Sequence, residues 1–147
     1  MKHYLYIFFI GIFFSQAQTD YNTKKGFVAK GYDVVSYFKN TAEEGSKKFT
    51  AMHDGVKFKF VSQEHLNKFK ANPHHYIPQY GGYCAYAVAE KGKKVSIDPE
   101  TFEIRDGKLY LFYNSWGNNT LESWLEKDVK GLVKKADLSW ETIGLQH

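Results

Sequence analysis

Three things are scarce in this chain of 147 residues: cysteine, proline and a surplus of one charge. The sequence has one cysteine, Cys84, three prolines and a formal net charge of +4. A single cysteine cannot form an internal disulfide, so we expect the hydrophobic core to stabilise the fold. The mild charge indicates solubility and no nucleic-acid partner. Its lysines are scattered in pairs that each predict solvated surface, at 24–25, 47–48, 93–94 and 134–135.

The chain also lacks an apolar run of the roughly twenty residues that a membrane-spanning helix needs. The first apolar run, residues 4–14, follows the short positive segment 1–3 and precedes the small-residue segment 15–17. That order is typical of a secretory signal peptide. We therefore predict a signal peptide over residues 1–17 and export to the periplasm or the cell exterior. An uncleaved leader that anchors the chain to a membrane is the alternative, and we expect no other membrane contact.

The rest of the chain predicts one domain. Residues 18–26 are polar and indicate a flexible lead-in. No linker rich in Pro or Ser interrupts the sequence after them, and we place a single domain at residues 27–140.

The pattern within this domain predicts an α+β fold. Asp-Gly pairs at 54–55 and 106–107 stand between alternating apolar runs, which indicates two β-hairpins in one small antiparallel sheet. Ser62 can cap a helix that runs to about Ala71, where Asn72-Pro73 stops it. A second amphipathic pattern begins at about residue 118, with a break at Gly131. We therefore predict a small sheet of two hairpins packed with several helices.

Three blocks carry a resemblance to a known family, namely GYDVVSYF at 31–38, PQYGGYCAY at 78–86 and DGKLYLFYN at 106–114. Together with Phe60, Ser62, Phe69, Pro73 and Tyr76, they resemble the YHS-domain family, and above all its small exported members, over residues 27–140. Many YHS domains carry Phe-Cys-Ser-x-x-Cys and look like metal-binding modules of heavy-metal transporters. This chain has Val61 and His65 at the two Cys positions. The resemblance implies a metal role by analogy.

Cys84 is the first candidate for chemistry. It follows Gly81-Gly82, and we expect a helix to begin at about Tyr83. The positive end of that helix would favour the thiolate, the form that a soft metal ion or a nucleophilic role requires. The alternative is a small buried core residue, since free cysteine is among the most buried residue types.

Three histidines are candidate partners of Cys84. His74 and His75 lie ten and nine residues before it, and His65 occupies the second family Cys position. Imidazole and thiolate together suit zinc or copper. No Cys-x-x-Cys or His-Glu-x-x-His motif supports a closed site. The alternatives are an exposed loop edge for His74 and His75 and an exposed helix surface for His65. We expect His53, in a hairpin turn, to be exposed.

Tyrosine is unusually frequent, with 11 residues in the chain. These side chains either form an aromatic core or line a cleft around Cys84. The members that we single out lie in or near the family blocks and hairpins: Tyr32, Tyr37, Tyr76, Tyr80, Tyr83, Tyr86, Tyr110 and Tyr113.

These observations predict an exported, non-catalytic module that binds or handles a transition metal, copper or zinc, through Cys84, His74, His75 and His65. One alternative is a metal-free domain that binds a small molecule or a protein through Tyr and Trp residues. The other is an enzyme with Cys84 as nucleophile and a histidine base. The sequence lacks a recognisable triad, a pair of suitably spaced carboxylates and a phosphate-binding glycine loop. These absences count against catalysis.

Overall fold

The structure is a computed structural model that describes residues 7–8, 10–12 and 18–145. The predicted signal peptide, residues 1–17, lies for the most part outside the described residues. Within the described ranges, no helix has the length and apolar character needed to cross a membrane.

The described part of the chain contains five α-helices, eight short strands and three 3-10 turns. The helices are α1 (Gln63–Ala71), α2 (Pro73–Tyr76), α3 (Ala85–Lys91), α4 (Thr120–Leu125) and α5 (Val129–Ile143). The strands are β1 (Thr23–Lys24), β2 (Phe27–Val28), β3 (Ser46–His53), β4 (Val56–Phe60), β5 (Asp98–Arg105), β6 (Lys108–Phe112), β7 (Asn114–Ser115) and β8 (Asn118–Asn119). The 3-10 turns are Ala29–Gly31, Ser36–Lys39 and Gln79–Gly82.

The α+β class with antiparallel hairpins is confirmed, but the two hairpins lie in separate sheets instead of one. β3 and β4 belong to a four-stranded sheet of order β1-β2-β4-β3, whereas β5 and β6 form a sheet of two strands. The free edge of β4 is taken by β2, which pairs with it in parallel through Phe27 and Lys57. The outer strand β3 carries Lys47 and Lys48 at an irregularity of its register, and charged bulges discourage further edge pairing.

Local sequence signals set the element ends. Both residues of Asp54-Gly55 have positive φ, at 49° and 76°, as do Asp106-Gly107 at 51° and 72°. Positive φ at both positions fits the tight hairpin turns that the sequence predicts. The Ser62 side chain accepts a hydrogen bond from the His65 N–H at 3.2 Å and caps α1 as expected.

The C-terminal pattern divides at a different place from the predicted one. The break falls between Leu125 and Val129, and Gly131 lies inside α5. A Cβ at Gly131 would come within 2.7 Å of Asp128 Oδ2, so glycine leaves room for the residue that precedes the helix.

The core consists of two clusters that share strand β6. Leu109 and Leu111 pack with Phe58, Phe60 and the inner face of α1. The opposite face of β6 presents Tyr110 and Phe112 to Trp124 and to helices α3 and α5. Because neighbouring residues of a strand point to opposite faces, this short strand is buried on both sides.

The segment 18–26 packs against the domain, in contrast to the flexible lead-in that its composition indicates. Tyr21 is buried, and its hydroxyl donates to Asp54 Oδ2 at 2.9 Å. The Asp20 N–H donates to Gly144 O and the Asn22 N–H to Gly81 O, each at 2.9 Å. These long-range hydrogen bonds fix the segment because each ties it to a distant part of the domain.

Candidate functional site

Cys84 stands immediately before α3 and has no exposed surface. Its backbone N–H donates to Val95 O at 3.0 Å, and its carbonyl accepts from the Val88 N–H at 3.1 Å. The sulfur Sγ lies 3.3 Å from Thr120 Oγ1. The Thr120 hydroxyl donates its one proton to Tyr113 O at 2.6 Å, so the thiol must be the donor to Thr120. This hydrogen bond uses the thiol proton, so the geometry gives no support for the thiolate that the helix end would favour.

A pocket of about 250 Å³ adjoins Cys84. Its wall combines aromatic and aliphatic groups with an amine and an amide from neighbouring elements. The lining residues are Cys84, Tyr86, Ala87, Lys91, Val95, Tyr113, Asn118 and Thr120. Helix α3 supplies three of them, and the segment around β7 and β8 supplies another three, so the pocket lies between these elements. We refer to it as the Cys84 pocket.

The tyrosines divide between core and pocket. Tyr37 and Tyr80 are buried, and burial is the main cause that raises the pKa of each hydroxyl above its ordinary value. Tyr37 donates to Pro99 O at 2.5 Å, and Tyr80 donates to Asp137 Oδ1 at 2.9 Å. Tyr86 and Tyr113 are half-buried and line the Cys84 pocket. The sequence left open whether the tyrosines form an aromatic core or line a cleft around Cys84. Some of them do the first and others the second.

His65 is buried, so the alternative of an exposed helix surface is wrong. Its Nδ1 lies 2.7 Å from Asp33 Oδ2, and its Nε2 lies 3.1 Å from Lys39 Nζ. A lysine ammonium only donates, so Nε2 accepts and the Nδ1–H donates to Asp33. Both ring nitrogens are occupied, and a metal ion would have to displace one of these partners.

Asp33 is the centre of this buried group. It is fully buried, and its carboxylate also accepts from the backbone N–H groups of Val35 at 2.8 Å, Ser36 at 3.2 Å and Val61 at 2.9 Å. The carboxylate thus joins the segment after β2, the end of β4 and helix α1. A buried charged group requires hydrogen-bond partners of this kind. We call Asp33, His65 and Lys39 the Asp33–His65 cluster.

His74 and His75 are exposed on α2 and do not line the Cys84 pocket. The His75 ring lies 4.7 Å from the Phe38 ring, and the His74 ring lies 5.5 Å from the His53 ring. His53 is largely buried, in contrast to the expected exposure, and its Nε2 is 3.4 Å from Asp54 Oδ2 without hydrogen-bond geometry.

The four predicted metal ligands therefore do not meet at one point. None of the three histidines lines the pocket at Cys84. Among residues 7–8, 10–12 and 18–145, no group of three or more His, Cys, Asp or Glu side chains is arranged to hold a metal ion. The donor set does not fit the Cys–His centre that the sequence predicts.

Sequence reasoning missed Trp116. This residue stands at the turn between β7 and β8, with 97% of its surface exposed and φ at 53°. The next residue, Gly117, also has positive φ, so the turn resembles the Asp-Gly turns in geometry. Asn118 of the same hairpin lines the Cys84 pocket. A Trp-Gly pair between Asn-Ser and Asn-Asn was the available signal, but tryptophan is not a usual turn residue.

Comparison with protein-family models finds no match for this chain. Searches among curated proteins and among solved structures likewise find no similar protein. The resemblance to the YHS-domain family stays a hypothesis that depends on the three sequence blocks.

Proposed function

We propose that this protein is a non-catalytic binding module that takes a small, mostly apolar molecule in the Cys84 pocket. The pocket itself is the observation that carries the proposal. Tyr86, Val95 and Tyr113 provide apolar wall, while Lys91 and Asn118 provide polar groups at the same cavity. An apolar cavity with a few convergent polar groups is the usual form of a small-molecule site.

The size and charge of the pocket limit the size and charge of the ligand that it can bind. Its volume of about 250 Å³ lies below the roughly 300–1000 Å³ of common ligand sites. The ligand is therefore small, of the order of a single substituted ring. Lys91 is exposed and makes no ion pair with a carboxylate within the described residues. An ammonium group in this position favours a ligand that carries a carboxylate.

The geometry at Cys84 supports binding over catalysis. A nucleophilic cysteine needs a thiolate and a nearby base. Here the thiol donates to Thr120, and none of the pocket-lining residues is a histidine, aspartate or glutamate. Cys84 lines the pocket, yet its side chain has no exposed surface and packs in the hydrophobic core.

Three probes of one shape and different charge test this proposal: benzoate, benzamide and benzylamine. Each is titrated into the protein while amide NMR signals of Ala87, Val95 and Asn118 are followed. We expect benzoate to bind best and benzylamine worst, because the ammonium of Lys91 attracts the first and repels the last. The Lys91→Gln variant should lose the preference for benzoate and keep benzamide binding. Lys93→Gln, which removes a charge outside the pocket, is the matched control.

A pocket-filling change gives a second test. In Ala87→Leu the larger side chain would occupy the cavity, and binding of all three probes should disappear. Ala71→Leu, at an exposed position on α1, adds the same atoms elsewhere and should leave binding intact. Failure of all three probes to shift any pocket signal, or their undiminished binding to folded Ala87→Leu, would show that the proposal is wrong.

The metal-handling function remains a prediction, and it can be tested on the same protein. Cys84 is the one thiol of the chain, and it lies at the pocket. Cu(I) and Zn(II) affinity of residues 18–147 is compared with that of Cys84→Ala. Tight binding that the variant loses would assign the pocket to a metal ion; equal and negligible binding in both would leave the organic ligand as the better assignment.

A further inference from the structure

Six lysines that are scattered along the sequence meet in one groove on the four-stranded sheet. The groove has a volume of about 500 Å³ and lies apart from the Cys84 pocket, with which it shares no lining residue. Strands β1 and β4, the turns around β2 and the irregular part of β3 each contribute. We call it the lysine groove, and its lining residues are Lys24, Lys25, Phe27, Lys30, Glu44, Lys47, Thr50, Lys57 and Lys59.

Strand geometry explains why the lysines converge. Phe58 and Phe60 point into the core, so Lys57 and Lys59 point to the opposite face of β4. Phe27 pairs with both Lys24 and Lys57, which brings β1 and β4 to the two sides of β2. The register shift of β3 between Ser46 and Thr50 places Lys47 on the same groove.

Two glycines leave room for the side chains of Lys57 and Lys59, and one aromatic ring contacts their amines. The Nζ atoms of Lys57 and Lys59 lie 4.5 and 4.3 Å from the centroid of the Phe27 ring, which is a cation–π distance. A Cβ at Gly26 would come within 2.8 Å of Lys57 Cε, and one at Gly31 within 3.3 Å of Lys59 Nζ. Both glycines also have positive φ, so a side chain at either position would be strained as well as crowded.

The groove holds a concentrated positive charge. Its six lysines face one carboxylate, Glu44, and this surplus of five exceeds the net charge of +4 of the whole chain. Among the described residues, none of the six makes an ion pair within 4.0 Å, whereas four lysines elsewhere do so with Glu64, Asp20 and Glu90. Like charges this close repel one another, and a bound anion would relieve that repulsion.

The side chains that line the groove favour a compact anion as its ligand. The face of Phe27 is covered by lysines and the residue is buried, so no aromatic platform is free to stack a nucleic-acid base. The groove contains no arginine, the residue suited to two-pronged recognition of one phosphate. Several ammonium groups around one cavity instead match an anion with several charges in a small volume.

We propose that the lysine groove binds a compact oligophosphate, a small molecule with several linked or clustered phosphate groups. The phosphates would contact the amines of Lys24, Lys47, Lys57 and Lys59. Such a ligand is distinct from the small apolar molecule of the Cys84 pocket, and the proposal does not depend on that pocket.

Inorganic tripolyphosphate is the probe, and its affinity for the protein is measured by calorimetry. Inorganic phosphate should bind at least roughly tenfold more weakly, because it meets fewer amines. Binding should weaken steeply as NaCl rises from about 50 to about 300 mM, since salt screens exposed charges. A free phosphate ligand and a lipid headgroup share this chemistry, so vesicles of phosphatidylglycerol form a separate arm.

Paired variants locate the site. Lys24→Gln/Lys47→Gln removes two exposed amines from the rim, and Lys57→Gln/Lys59→Gln removes the two at Phe27. Each should weaken tripolyphosphate binding roughly tenfold or more. Lys93→Gln/Lys134→Gln removes the same charge from exposed positions elsewhere and should weaken it by less than about twofold. The rim pair keeps the test valid if the second pair perturbs folding.

Equal weakening by the rim pair and by the control pair would show that net charge alone is responsible and would overturn the proposal. Binding to the vesicles without binding to tripolyphosphate would overturn it as well, because the ligand would then be a membrane surface. Tripolyphosphate binding that only the groove variants lose would support it.

Discussion

The Asp33–His65 cluster and the Cys84 pocket both contain a buried side chain that the sequence predicts as a metal ligand. In the cluster, each side-chain polar atom of Asp33 and His65 has a partner within 3.2 Å. At the pocket, the Cys84 sulfur has one hydrogen-bond partner, Thr120 Oγ1 at 3.3 Å, and a cavity adjoins the residue. The comparison teaches that burial of a reactive group does not by itself indicate a ligand site. On the function proposed above, the cavity beside Cys84, and not the burial of its side chain, marks the ligand site.

The largest expected effect comes from breaking the cluster at its centre. Asp33→Asn keeps the shape of the side chain but turns one oxygen acceptor into an N–H donor. That donor would face either the Val61 N–H and the His65 Nδ1–H, or the N–H groups of Val35 and Ser36. We expect the free energy of unfolding to fall by about 3 kcal/mol, measured by urea denaturation.

Glu141→Gln makes the same chemical change at an exposed position of α5 and should alter stability by less than about 0.5 kcal/mol. Similar small losses for both variants would contradict the central role of Asp33.

His65→Ala is expected to cost less, about 2 kcal/mol, because Asp33 keeps its three backbone donors. His74→Ala and His75→Ala, at exposed positions, should each cost less than about 1 kcal/mol. Thermal unfolding measures all three. Zn(II) affinity should be the same in His65→Ala as in the unaltered protein, since the ring is held by Asp33 and Lys39. A selective loss of Zn(II) affinity in this variant would return His65 to the ligand set.

Much of the fold could be predicted because its signals are local. The Asp-Gly turns, the Ser62 cap and the alternation along β4 each depend on a few neighbouring residues, and the structure has all three. The site depends on distant contacts. Asp33 lies 32 residues before His65, and Cys84 lies 36 before Thr120, so no local pattern relates the members of either pair. The convergence of scattered lysines arises from strand pairing in the same way.

At the pocket, Cys84→Ser is expected to lower the free energy of unfolding by only about 1 kcal/mol. A serine hydroxyl can donate to Thr120 Oγ1 as the thiol does, so the variant exchanges one buried donor for another. Urea denaturation gives this value. A loss as large as that of Asp33→Asn would remove the contrast between the two regions.

The accessibility of the Cys84 thiol tests the burial of its side chain without a mutation. Because the sulfur has no exposed surface, a disulfide reagent should modify the native protein at least roughly 100-fold more slowly than the unfolded chain. Reaction at similar rates would place the sulfur in the open part of the pocket and revive a reactive role for it.

The smallest expected effect concerns Trp116, on the hairpin beside the pocket, and its sign is opposite to the others. At φ of 53° a bulky side chain is unfavourable, whereas asparagine tolerates this conformation. Trp116→Asn should therefore raise the free energy of unfolding by about 0.5 kcal/mol, whereas Trp116→Ala, which also removes the exposed indole, should not. If Trp116→Asn is more stable, the exposed tryptophan costs stability at this position, and a role in binding would account for it. If both variants also lose benzoate affinity to the same extent, the indole contributes to the Cys84 pocket; if neither loses affinity while Trp116→Asn is more stable, its role lies in contact with a separate partner.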